Sequence, residues 1–267
     1  MIFSIDKDFL ATFALPLAVG LTSAVLPSWY LEHAAKQPWA KQYLITYREG
    51  EDRWKKDSDG KRKKTHHHDH HDEIERQSLL RMFLASFFAA VVLYSTQLEI
   101  LSYASLMESI SYTSWFLQFA ALLYTIDFIQ YVCHYAGHET EFLWKYVHSK
   151  HHQIHTPSAL QCAYGSILSP TLGAALPVVL AYLLCQPHAS VFYVVAANQV
   201  VSFGPYGHSG MQVPLIDVML GYGWLPFRAT PRLHDAHHRL SGKAATNLGT
   251  TIWLWDYLFG TLTTDRV

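Results

Sequence analysis

Long apolar stretches alternate along this chain with short polar joints, and their lengths give the first reading. Phe9 to Leu31 ("FLATFALPLAVGLTSAVLPSWYL") holds no charged residue and is long enough to cross a hydrocarbon layer of roughly 30 Å as a helix. Met82 to Leu98 and Tyr112 to Cys133 predict two further spans. Ile167 to Cys185 and Ala189 to Gly207 form an apolar pair joined only by "QPH", a joint tight enough for a helical hairpin. The pattern predicts an all-α integral membrane bundle of about three spans plus a helical hairpin. Asp6 and Asp8 stand before the first stretch where a signal peptide would be basic, and no small-residue cleavage site follows. The stretch therefore reads as a retained membrane helix.

One segment breaks the pattern. Residues 48–75 ("REGEDRWKKDSDGKRKKTHHHDHHDEIER" and its edges) are polar, of mixed charge and without an apolar period, which predicts a solvated loop. It divides the chain, as read here, into membrane spans with a His-rich loop over 1–111 and a catalytic domain over 112–267. Composition agrees with a membrane chain, since 50% of residues are hydrophobic and only 15% charged, against roughly 25% charged in soluble domains. The net charge of −1 hides a segregation of basic residues. Of the 20 lysines and arginines only Lys7 falls outside the segments 36–81, 134–165 and the tail after 207. Basic residues near span ends stay in the cytoplasm, so those three segments face the cytosol together. No nucleic-acid partner is expected. Cys133, Cys162 and Cys185 have no C-x-x-C spacing and read as reduced thiols.

The cytosolic segments carry the chemistry. "HYAGHETEFLWKYVHSKHH" contains His134, His138, His148, His151 and His152, and "RLHDAHHRLSG" contains His234, His237 and His238. The i, i+4 pair His134/His138 projects from one helix face and can converge on a metal. In each H-x2-H-H triplet the first and last side chains share a face while the middle one turns toward a neighbouring position. Eight imidazoles are about what two adjacent metal ions require, and His208 in "GPYGHSG" supplies a ninth that would make one ion five-coordinate. No catalytic residue separate from these ligands is evident. Asp127, two turns before His134, and Asp235 are candidate acceptors for the second N–H of a ligating ring. The "HHHDHH" run, His66 to His71, sits in the polar loop, where nothing fixes a catalytic geometry. Imidazoles without thiolates suit zinc, iron or copper. Beside a membrane the substrates present unactivated C–H bonds, for which a redox metal acting with O2 is useful, so two iron ions are expected, with zinc able to fill the same ligands.

The motifs "HYAGH", "HSKHH", "GHSG", "HDAHH" and "NLGTTIWLWDYLFGT" resemble those of the fatty acid hydroxylase and sterol desaturase superfamily, over roughly Asp127 to Thr264. The resemblance implies a multi-pass endoplasmic reticulum protein with a helical membrane anchor and a cytosolic helical, histidine-rich metal-binding cap. It implies a di-iron oxygenase drawing electrons from cytochrome b5 or a similar donor. "HSG" resembles the sterol-oxidising branches and favours hydroxylation, with a sterol slightly ahead of a fatty acyl substrate. Two positions depart from the pattern: Tyr135 stands where many members have Arg, and Leu248 gives "NLG" in place of "NYG". The alternatives are a lipid desaturase of the same superfamily, a non-catalytic zinc-filled lipid-binding relative, and a divalent-metal transporter. Transport sites generally lie at the bilayer midplane, whereas these ligands cluster at span ends.

Overall fold

The structure is a computed structural model that describes residues 7–45, 71–96, 103–240 and 246–263. The loop up to residue 70, with most of the "HHHDHH" run, lies outside the described residues, as do Lys243 and Arg266. Four helices are long and apolar enough to cross a membrane: α1 (Leu10–Ala34), α2 (His71–Ser95), α3 (Tyr112–Glu139) and α4 (Leu168–Cys185). Helix α5 runs over 189–208 as Ala189–Val201 followed by the π turn Ser202–Tyr206. Three shorter helices follow, α6 (Pro214–Leu220), α7 (Pro231–Leu240) and α8 (Leu254–Phe259). The described residues contain no strand, only the isolated bridges Leu44 to Met211 and Arg228 to Ile252. The protein is an all-α membrane bundle.

The boundaries follow from capping. Ser111 starts α3, its side chain accepting the Ser114 N–H at 3.2 Å, which satisfies one of the orphan donors of a first turn. The "QPH" joint is as tight as its length predicts. Gln186 closes α4 in the left-handed region at φ 42°, and the His188 ring accepts the Ser190 N–H at the start of α5. Helix α2 begins at His71 rather than Met82, a correction to the predicted loop end. Its first turns are polar in sequence yet partly inward-facing: Ser78 is buried and accepts the Ala163 N–H at 3.1 Å. Such polar contacts hide the helical period from a hydrophobicity pattern.

The core lies between α3, α4 and α5, where Leu122, Leu123, Ile126, Val179, Tyr182 and Val195 are buried together. Helices α1 and α2 pack against α5 and α4. They approach each other closely at Gly20, where a Cβ would lie 2.8 Å from Ser86 Oγ. Outward positions remain apolar, Leu26, Trp29, Phe87, Leu117 and Leu184 among them, as a lipid-facing surface requires. The helices alternate in direction, so the ends of α1, α3 and α5 and the starts of α2 and α4 share one end of the bundle.

Candidate metal centre

That end carries every histidine expected at the site. Helix α3 has 28 residues, roughly 42 Å of helix, and outruns a hydrocarbon layer of roughly 30 Å, so His134 and His138 sit in its last turns. A π turn, Trp144–His148, then aims His148 back toward them, and the short helix His151–Gln153 sets His151 and His152. Helix α7 presents His234, His237 and His238, and the π turn in α5 precedes His208.

The nine rings form two groups. His134, His138, His148, His152 and His237 have ligand atoms all within 4.8 Å of one another, and so do His151, His208, His234 and His238. The triplets are interleaved. First and last members stay together, His148 with His152 and His234 with His238, while each middle member, His151 or His237, crosses to the other group. His208 belongs to the smaller group, so the five-membered set arises from the triplets and not from the ninth histidine.

Ring orientation is set by backbone carbonyls. His134 Nδ1 lies 2.9 Å from Leu248 O, His151 Nδ1 2.8 Å from Tyr164 O, His208 Nδ1 2.8 Å from Gly204 O and His237 Nδ1 2.7 Å from Thr246 O. A carbonyl only accepts, so these four rings carry their proton on Nδ1 and turn an Nε2 lone pair inward. His151 and His208 then face each other Nε2 to Nε2 at 3.3 Å with no proton to share. The other inward pairs are His148 with His134, His138 and His152 at 3.1, 3.0 and 2.9 Å, His237 with His152 at 3.2 Å, and His234 with His208 at 3.0 Å. Two nitrogens bound to one ion at about 2.0–2.1 Å lie about 2.9–3.4 Å apart for angles between octahedral and tetrahedral. The donor set therefore fits a pair of metal ions.

Burial keeps the rings neutral. It holds His148, His152, His234, His237 and His238 well below the usual imidazole range, with neighbouring rings adding to the effect, and it lowers His151 by burial alone. Neutral imidazole is the ligand form.

Asp127 acts otherwise than expected. Asp127 accepts the Thr251 N–H at 3.1 Å and the Thr251 hydroxyl at 2.5 Å in place of an imidazole N–H. Seven residues are about 10.5 Å of helix, which is too far for a short side chain to reach the His134 ring. Asp127 instead pins the loop whose Leu248 carbonyl does so. Asp235 forms an ion pair with Arg239 at 3.5 Å, one turn on, and burial raises its carboxyl to about 7.

Asp256 was missed as a supporting residue. Its carboxylate accepts the Leu248 and Gly249 N–H groups at 2.7 Å each and the Thr261 hydroxyl at 2.7 Å, holding the peptide that orients His134. The available signal was the "WD" of the terminal motif. Gly249 is obligatory there, since a Cβ would stand 2.3 Å from Ile252 O and 2.7 Å from Asp256 Oδ2. Three other histidines lie apart: His33 contacts Trp29 O, His188 caps α5 and His155 is exposed.

An apolar cavity leads from His134, His148, His151 and His234 into the bundle. It passes Gln130 and Phe203 and continues between α1, α2, α4 and α5 along Val19, Ala89, Val178 and Tyr193. Thr250 lines it as well; its hydroxyl is buried and has no hydrogen-bond partner among the described residues.

A family model described as "Fatty acid hydroxylase" matches residues 119–261, more than half of the chain. Fatty acid hydroxylase vlmA of Lecanicillium sp is 29% identical over 219 residues, 74% of this chain and 58% of the relative. Sphinganine C4-monooxygenase 1 of Arabidopsis thaliana is 27% identical over 155 residues, 54% of this chain and 53% of the relative. Very-long-chain aldehyde decarbonylase GL1-9 of Oryza sativa subsp. indica is 27% identical over 156 residues, 54% of each chain. The chain thus spans little more than half the length of these curated relatives. No solved structure matches it.

Proposed function

The chain belongs to the fatty acid hydroxylase family, and on that premise we propose that it is a membrane-bound, O2-dependent di-iron hydroxylase of a lipid C–H bond. The observation that carries this reading is the convergence of nine imidazoles into two groups, each with its ligand atoms within 4.8 Å of one another. His134, His138, His148, His152 and His237 would hold one ion, and His151, His208, His234 and His238 the other. Bound iron would supply the redox chemistry that turns O2 on an unactivated C–H bond. The overall reaction inserts one oxygen atom into that bond and reduces the other to water, with two electrons and two protons. The electrons come from cytochrome b5 or a similar donor, at the cytosolic face of the endoplasmic reticulum membrane.

The protein's own part is binding, orientation and exclusion of water. The cavity would take an extended chain beside four of the ligating rings and keep it dry. The Leu248, Tyr164, Gly204 and Thr246 carbonyls would hold ring orientation. The Thr250 hydroxyl is a group that can hold a proton at the cavity wall. Helices α1 and α2 line this cavity, so the spans of 1–111 complete a site whose ligands all come from 112–267. The relatives' names, which specify fatty acid, sphinganine and very-long-chain aldehyde, favour a long-chain lipid over the sterol suggested by "HSG".

Metal analysis of the purified protein, with oxygen uptake measured after iron loading, tests the proposal. Two metals per chain and lipid-dependent oxygen uptake are expected. Two zinc ions per chain with no uptake after iron exchange would favour the non-catalytic alternative. Uptake of divalent ions into vesicles would favour the transporter.

A further inference from the structure

Between residues 214 and 227 every exposed side chain is apolar: Leu215, Val218, Met219, Trp224 and Phe227, with Pro214 and Pro226. Met219 is 72% exposed. The charged side chains of the stretch turn inward instead. Asp217 accepts the Tyr206 hydroxyl at 2.6 Å. Arg228 is buried and donates to Asn198 Oδ1 at 3.2 Å, Ser202 Oγ at 2.9 Å and the Leu220 carbonyl at 2.8 Å. Apolar outside with charges facing the interior is the reverse of a solvated loop and the rule inside a bilayer.

The stretch also lies well below the histidines. Helix α5 covers 189–208, roughly 30 Å of helix and about one hydrocarbon thickness. Asn198 stands midway along it, roughly 15 Å from His208, and its Nδ2 donates to the Leu220 carbonyl at 3.3 Å. Tyr124, as far from His134 on α3, donates its hydroxyl to the Pro226 carbonyl at 2.5 Å. Leu225 is buried in the core with Leu122 and Val195. Val213, in contrast, is held at the histidine end, its N–H donating to the Tyr206 hydroxyl at 2.8 Å. Helix α6 therefore descends from that end, and the chain climbs back to α7.

The backbone is satisfied within the protein, as such a depth demands. The Leu220 carbonyl has Asn198 and Arg228, the Pro226 carbonyl has Tyr124, and the Phe227 carbonyl accepts the Trp253 N–H at 2.9 Å. The Tyr222 and Leu225 N–H groups donate to the Asp217 and Gly221 carbonyls at 2.8 and 2.9 Å. Even the Trp224 indole N–H donates inward, to the Val218 carbonyl at 2.7 Å.

We infer that residues 214–228 form a re-entrant segment whose exposed face contacts the lipid hydrocarbon of the leaflet on the histidine side. The surface continues that of a span: Phe227 packs edge-on against Trp253, and outward-facing Phe128 of α3 packs against Trp255. Basic-residue placement predicts cytosol for everything after 207, and Arg228 departs from that because its partners lie inside the bundle. The segment ends at the Arg228 to Ile252 bridge, so lipid bears on the loop that orients His134 and His237. The inference goes beyond the proposed reaction and does not depend on it.

Spin labelling of the full-length protein in phosphatidylcholine nanodiscs tests it. Labels are placed at Leu215→Cys and Met219→Cys, with Leu117→Cys on the lipid-facing side of α3 and Glu141→Cys beyond its end as references. Signal from the unsubstituted protein's own cysteines is subtracted. Each label is relaxed by O2, which concentrates in hydrocarbon, and by a neutral nickel chelate, which stays in water. The Met219 label is expected to respond more to O2 than to nickel, as at Leu117, with Leu215 between Met219 and Glu141. If Met219→Cys does not fold, Val218→Cys serves. Met219→Asp should lower the melting temperature in nanodiscs while Met219→Leu does not. Nickel relaxing the Met219 label as strongly as the Glu141 label, or equal melting of the Asp and Leu variants, overturns the inference in favour of a water-facing segment. A Met219 label reached by neither agent overturns it in favour of a covering protein or a second copy of the chain.

Discussion

His208 and His237 differ in what their loss leaves behind. Removing His208 takes one of four ligands from the smaller group and relieves the facing lone pair on His151. His208→Ala is expected to lower metal content by about one ion per chain, read by elemental analysis, with expression and membrane insertion intact. His237→Ala leaves four rings in the larger group, so that ion is expected to be retained more weakly, in line with the roughly 10–100-fold affinity changes seen when metal-site surroundings are altered. Acid provides a test of the rings together. Their folded-state pKa values lie below the usual 6.5, so the unfolded chain takes up protons that the folded chain refuses. Stability is therefore full above pH 6.5 and falls as pH drops below it. Thermal melts of the metal-free protein should show that fall, and a melting temperature flat from pH 7 to 5 would contradict buried neutral rings. These residues were legible because three i, i+4 spacings and two H-x2-H-H triplets are readable in one dimension. Their proton acceptors were not, because the Leu248, Tyr164, Gly204 and Thr246 carbonyls belong to the backbone and carry no side-chain signature. The Asp127 expectation failed for the same reason: helical phase was correct, but reach was not.

Among the elements, the 246–252 loop matters most. It has no regular structure, yet it supplies carbonyls to His134 and His237 and is clamped by Asp127 and Asp256. Asp256→Asn keeps the size but weakens the acceptance of two backbone N–H groups. It is expected to cost about 1–3 kcal/mol, the range for leaving such groups poorly satisfied, and to loosen metal retention without removing a ligand. Gly249→Ala places a methyl group against Ile252 O and is expected to destabilise by at least about 1–3 kcal/mol, as denaturant unfolding would show. The hairpin of α4 and α5 was legible from "QPH", where a left-handed Gln186 and a capping His188 complete the turn. The start of α2 was hidden, because Gln77, Ser78 and Arg81 are polar residues turned toward the protein. The π turns Trp144–His148 and Ser202–Tyr206 were also invisible in sequence, though they aim His148 and His208.

At the scale of the molecule, hydrophobic lengths and basic-residue placement were enough to bring both histidine triplets to one end of an all-α bundle. The chain alternates direction through α1 to α5, and the site forms where α3 and α5 end and α7 lies across them. His66–His70 lie outside the described residues and His71 begins α2, and replacing these histidines with Ser is expected to leave metal content and turnover nearly unchanged. Equal losses there and in His237→Ala would give the loop a role in the centre. The central claim, that nine histidines hold two iron ions for lipid hydroxylation, is tested most directly by isotope transfer. Iron-loaded protein in lipid is supplied with a reductant and 18O2, and the lipid extract is read by mass spectrometry. A lipid carrying one labelled oxygen, absent with His151→Ala, is the expected result. An unlabelled extract from protein holding its full iron, or a product lighter by two hydrogens with no label, would contradict it.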